Sequence, residues 1–163
     1  CPATTSACMM IRAAAELLQL CRPETAEANA GIALQNAAMH YYQGDYVPVP
    51  HALWQIDAAG QFDLYPLFAE LVDETNGERG AATFHASLIA GATEWVAEAC
   101  NRHGIGNVVL GGSCFINQLL SAGLRDNLSH RGFAVFEAQA LLPDDSAVSL
   151  GQAWIALQQL KAG

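Results

Sequence analysis

The sequence predicts a mixed α/β fold, and three observations carry that prediction. The last third reads as strand, helix, strand, helix, a long helix with regularly spaced apolar residues precedes it, and two Ala-rich helical segments open the chain. At 163 residues the chain is expected to be a single domain over 1–163, with one core burying roughly 70% of the unfolded surface.

Residues 6–20 carry strong helix formers behind Ser6, a favoured N-cap, with apolar side chains on nearly every face. Such a helix is expected to be buried all round. Arg22-Pro23 ends it, and a second helix is expected over 24–40. Pro48 and Pro50 mark an extended crossing. The segment ALWQIDAAGQFDLYPLF alternates around Ala58-Ala59-Gly60, predicting a hairpin near 53–64 that runs into a short helix over 66–73. The longest helix is expected over 78–102, where Phe84, Leu88, Ala92, Trp95 and Ala99 recur at helical spacing and Gly104 supplies the stop. A closing βαβα unit over 106–160 follows: NVVLGG as a buried strand, FINQLLSAGLRDNLSHRG as an amphipathic helix, FAVFEA as a second strand and SAVSLGQAWIALQQL as the last helix. A crossover of this length implies parallel strands and a ligand site at their carboxyl ends.

Composition narrows the function. The net charge of −9 repels phosphate backbones and anionic lipid surfaces, arguing against nucleic-acid and membrane partners. Only 14% of residues are charged while 52% are apolar, which points either to an unusually large core for this length or to a face covered by another domain or by a second copy in a homo-oligomer. No apolar run reaches membrane-spanning length and no basic-then-apolar leader opens the chain, so a cytoplasmic location is expected. The first residue is Cys1 rather than Met, as in a fragment of a longer polypeptide. Five cysteines without zinc-type spacing read as reduced thiols.

Two loops carry candidate chemistry. Gly111-Gly112-Ser113-Cys114 stands where a strand hands over to a helix, a place where backbone N–H groups meet anions, although a tight turn without a ligand has the same signature. Asn117 follows as a ligand contact or a helix cap. Asp144-Asp145 precedes the last helix, where an acid is a common cap. Parallel neighbouring strands place both loops on one sheet edge, which fits a metal-nucleotide site. His85 lies inside the long helix facing the expected core, where a hydrogen-bonded core histidine is the usual outcome. A nucleophilic Cys114 at a strand-helix elbow is a third, weaker reading, because nothing in the sequence names its base.

Several segments together resemble one family, the carboxyl-terminal region of the HypF carbamoyltransferases of [NiFe]-hydrogenase maturation, which is similar to the tRNA threonylcarbamoyl transferases. PATTSACMMIRAAAELLQL stands against the family's PLTSSAGRLFDAVAALLGL, AEANAGIALQNAA against YEGQAAIELEALA, and Phe84-His85 through Ala90 against FHxxLA. LGGSCFINQLL stands against LSGGVFQNRLL, and LPDDSAVSLGQAW against PPNDGGLALGQAA. The likeness implies one lobe of an actin-like ATPase, ribonuclease-H-like fold. It maps nucleotide-phosphate contacts onto Gly111, Gly112 and Asn117, and a metal-ligating aspartate onto Asp145, with Glu27 and His85 as supporting positions. ATP and a divalent metal (zinc, iron or magnesium) are the implied cofactors. The implied partners are the preceding half of the same domain and a carbamoyl-accepting, HypE-like maturation protein.

Departures from the family pattern are informative. GRLFDA has become Cys8-Met9-Met10-Ile11-Arg12-Ala13, the second loop glycine has become Ser113, and the pair after the metal aspartate has become Ser146-Ala147. Two readings therefore stand: a fragment of an ATP-dependent carbamoyltransferase, inactive alone, or a catalytically decayed interaction module that keeps the fold.

Overall fold

The computed structural model describes residues 5–42 and 52–162. It is helix-rich mixed α/β, as expected. In order it contains α1 (Ala7–Leu17), α2 (Glu27–Tyr42), β1 (Gln55–Ile56), β2 (Phe62–Asp63), α3 (Tyr65–Val72), α4 (Gly77–His103), β3 (Asn107–Leu110), α5 (Gln118–His130), β4 (Ala134–Glu137) and α6 (Val148–Ala162). Short 3₁₀ turns at Ser113–Ile116 and Asp145–Ala147 precede α5 and α6.

Ser6 caps α1 by accepting the Met9 N–H at 3.4 Å, but the helix stops at Leu17 and is one-sided. Only Ile11, Ala14 and Ala15 of α1 are buried, while Met9 and Leu17 lie in the open, which corrects the expectation of burial on every face. Small alanines admit a close neighbour along one line only. The second helix starts at Glu27, later than expected, and the Pro48 and Pro50 crossing lies outside the described residues.

The hairpin forms as the alternation required, with Gln55 opposite Asp63 and Ile56 opposite Phe62. Its turn closes from the Gly60 N–H to the Asp57 carbonyl at 2.9 Å, with Gly60 at φ +81°. The Asp57 carboxylate accepts the Ala59 and Gln61 N–H groups, an Asx-type lock on the turn.

The long helix α4 is the organising element. Asn76 caps its start by accepting the Arg79 N–H, and Gly104 in the left-handed conformation ends it. It buries Ala81, Phe84, His85 and Leu88, with Phe84 edge-on to Phe68 of α3 and His85 bonded by Asn117 ahead of α5, while Trp95 and Ala99 of the expected stripe are exposed. Trp95 instead stacks on Phe62, ring centroids 5.7 Å apart, and donates its indole N–H to the Gly60 carbonyl at 2.7 Å. The hairpin thus covers the second half of α4, and Gly91 gives it room: an added Cβ would stand 2.7 Å from Trp54 Cγ and 2.8 Å from Phe62 Cε2.

In the closing unit β3 and β4 pair in parallel, Asn107 with Ala134 through Leu110 with Glu137, and α5 crosses between them and packs on α4. The expected buried strand is buried on one face only. Leu110 is covered, whereas Val109 and Phe136 point outward at 74% and 53% exposure. The last helix forms but does not join the core. Its described side chains are all exposed, among them Val148, Leu150, Trp154, Ile155 and Leu160, so the βαβα unit closes in chain order without its final layer packing onto the sheet.

Candidate functional site

Both candidate loops leave the same end of the β3–β4 pair, because parallel strands align their carboxyl ends. At the end of β3, Gly111 and Gly112 are exposed, and a Cβ added at either would meet open space. Gly112 sits at φ +105°, a conformation side-chain-bearing residues rarely adopt, so the chain needs glycine there to turn away from the strand. Beyond β4, the carboxylate of Asp144 accepts the Ser146 N–H at 3.0 Å and the Ser146 hydroxyl. Those hydrogen bonds hold the Asp144 carboxyl below its ordinary range. Asp145, the residue matched to the metal aspartate, is exposed. Among the described residues no three His, Cys, Asp or Glu side chains converge into a metal-binding cluster. One exposed carboxylate leaves most of a coordination shell to water, so the described residues do not by themselves make a metal centre.

Asn117 is the N-cap of α5 rather than a residue of its first turn. Its Oδ1 accepts the Leu120 N–H at 3.1 Å, which aims its amide nitrogen into the protein. That nitrogen donates to Nε2 of His85 at 2.9 Å, and Nδ1–H of His85 donates to the Ala81 carbonyl at 2.8 Å. Each link fixes the next: the cap orients the amide, the amide selects the imidazole tautomer, and α4 supplies the final acceptor. His85 is 1% exposed, and burial, only partly opposed by these two hydrogen bonds, lowers its pKa below the usual 6.5. It is therefore a neutral structural histidine with both ring nitrogens engaged, and Asn117 keeps one amide hydrogen beyond this network.

Between α1, α2 and the glycine turn lies a cavity of about 470 Å³, lined by Cys8, Ile11, Gly31, Gln35, Cys114 and Asn117 among others. Gln35 Oε1 accepts the Gln118 N–H at 2.7 Å, and Cys8 Sγ lies 3.3 Å from Ser113 Oγ. Burial pushes the Cys114 thiol up, away from the thiolate a nucleophile requires. His85, joined to this cavity through Asn117, has both ring nitrogens engaged, which argues against its serving as the base of a hydrolase built on Cys114. Glu27 begins α2, and its side chain lies outside what is described. Arg12, which replaces the family's acid, donates to Glu16 Oε1 at 2.7 Å and to the Pro23 carbonyl, a structural role at the end of α1.

No local pattern joins Cys8 to Ser113 or Gln35 to Gln118, since each pair belongs to different elements far apart in the chain. His85 alone gave a signal, a polar residue on the core face of a helix.

Comparison with known proteins agrees with this architecture. Residues 1–152 match the family model described as carbamoyltransferase, Kae1-like domain, second subdomain. The chain is 36% identical over 165 residues to a carbamoyltransferase HypF homolog of Cupriavidus necator, covering 98% of this chain and 42% of that protein. It is 44% identical over 106 residues to carbamoyltransferase HypF2 of the same organism, covering 65% of this chain and 13% of that one. The chain thus spans less than half the length of either relative. The crystal structure of full-length HypF in the phosphate- and nucleotide-bound form superposes with a TM-score of 0.78 at 22% identity, covering 95% of this chain and 20% of that one. HypF of T. kodakarensis gives 0.74 at 20% identity, covering 96% and 20%.

Proposed function

The chain belongs to the HypF carbamoyltransferase family, and from that premise we propose that it forms the second lobe of an ATP-dependent carbamoyltransferase of [NiFe]-hydrogenase maturation, holding nucleotide phosphates at the Gly111-Gly112 turn. The observation that carries this reading is the parallel β3–β4 pair with an open glycine turn at its carboxyl end. Glycine lets a phosphate approach the backbone closely, and the start of α5 beyond the turn favours negative charge.

Asn117 works in this reading chiefly as the strut that fixes where α5 begins relative to α4, with its remaining amide hydrogen available to a ligand oxygen. Asp145 is exposed beyond β4 and would contribute one oxygen to a divalent ion held mainly by the preceding half of the domain. A carbamoyl-accepting, HypE-like protein and the preceding half of the domain are the partners this role requires, and the lobe alone is expected to be catalytically inactive.

The test is ATP titration of the chain, followed by amide chemical shifts. Binding in the millimolar range, about −4 kcal/mol, with shifts concentrated at Gly111, Gly112 and Ser113, is the expected result. Shifts confined to other elements would remove the proposed phosphate site.

The second reading, a decayed interaction module, is favoured by specific features. Arg12 stands where the family has an acid and pairs with Glu16, and α6 exposes Leu150, Trp154 and Leu160. Titration discriminates the two readings, because a module with a decayed site leaves the glycine turn unshifted.

A further inference from the structure

We propose that Cys8 and Cys114 form a reversible intramolecular disulfide when the protein meets a hydroperoxide, clamping the first turn of α1 onto the glycine turn and closing the mouth of the cavity between them. The inference does not depend on nucleotide binding.

The geometry supplies its two requirements. Both cysteines line the same cavity and both are half-buried, so each is reachable from solvent yet held against protein. Cys8 Sγ lies 3.3 Å from the hydroxyl of Ser113, the immediate neighbour of Cys114, and α1 packs on the 3₁₀ turn that carries Cys114. The ionisation of Cys114 is disfavoured first by burial and next by Cys8, which sets the two thiol groups against one another. The other described cysteines differ: Cys21 lies beyond the far end of α1 and Cys100 is buried in α4.

The chemistry balances with hydrogen peroxide as the oxidant. Cys8 gives up its thiol proton and the thiolate attacks one peroxide oxygen; the O–O bond breaks, the departing hydroxide takes up that proton and leaves as water, and Cys8 becomes a sulfenic acid. Cys114 then attacks that sulfur, the S–O bond breaks, and a second water leaves as the S–S bond forms. Two thiols lose two hydrogens, and one peroxide becomes two waters. Cys114 suits the resolving role because its depressed thiolate fraction makes it the poorer first attacker. A dithiol reductant reverses the link by exchange.

The experiment treats the full 163-residue chain with equimolar hydrogen peroxide, blocks remaining thiols under denaturing conditions, and maps disulfide peptides by mass spectrometry. The expected result is loss of two of the five thiols, a Cys8–Cys114 peptide about 2 Da lighter than its reduced parts, and recovery on reduction. Cys8→Ser and Cys114→Ser should each abolish the link, and Cys21→Ser should not. Amide exchange between residues 113 and 118 should slow in the oxidised chain and stay unchanged in treated Cys114→Ser. Intermolecular dimers, a link mapped to other cysteines, or single-site over-oxidation without a link would overturn the disulfide. A link formed with unaltered exchange at 113–118 would overturn the clamp.

Discussion

Replacing Asn117 by alanine removes two interactions from one side chain. The first is the cap on Leu120 N–H, worth about 1 kcal/mol. The second is the only described hydrogen bond to Nε2 of His85; a buried acceptor left unpaired costs about 1–3 kcal/mol. Asn117→Ala should therefore lose about 2–4 kcal/mol, lowering the urea midpoint by about 1 M for a domain of this size. Asn117→Asp separates the two contributions. Aspartate caps as well as asparagine but presents only acceptors to Nε2, so His85 must take up a proton to bond it. In the native chain His85 has a lowered pKa, so its contribution is complete above the unfolded value of about 6.5 and declines as pH falls through the lower folded value. In Asn117→Asp the folded pKa should lie above the unfolded one, and the contribution should instead be complete below about pH 6.5 and decline as pH rises through the folded value. Urea melts from pH 5 to 8, with the His85 ring followed by NMR, read both effects. A loss under 0.5 kcal/mol in Asn117→Ala, or the same pH slope in Asn117→Asp as in the native chain, would refute the relay from α5 through His85 to α4.

Other substitutions follow from the same packing. Gly91→Ala should destabilise by about 1–3 kcal/mol in denaturant melts despite alanine's better helix propensity, because its methyl would meet the Trp54 and Phe62 rings at under 3 Å. Phe84→Ala, which empties the largest fully buried side chain, should cost about 3–5 kcal/mol by the same measurement. Asp145→Asn should stay within about 0.5 kcal/mol of the native chain, since the carboxylate is exposed. Trp154→Gln should lower fluorescence from a bound apolar dye while leaving the melting midpoint unchanged, because α6 exposes its apolar residues and lies outside the core.

Local chemistry determined the order and kind of the elements. Ser6, Gly60 and Gly104 mark a start, a turn and a stop through hydrogen bonds and backbone angles that involve only near neighbours, so they were legible from the sequence. The same holds for the parallel pair, since a strand, a helix-length crossover and a second strand leave little alternative. Burial was a different matter, because it depends on what arrives from elsewhere in the chain. α1 has apolar residues all round, yet only its Ile11, Ala14 and Ala15 side is covered, and Trp95 left the expected core stripe to stack on a hairpin. α6 has the composition of a core helix and none of the cover. For the candidate site, the glycine turn could be placed from its position after a strand. The pairing of Asn117 with His85 and the approach of Cys8 to Ser113, 105 residues apart, arose only when α1, α4 and the turn before α5 packed together. Hydrogen bonds between distant elements leave no periodic trace in sequence, so their partners appear only in the folded arrangement.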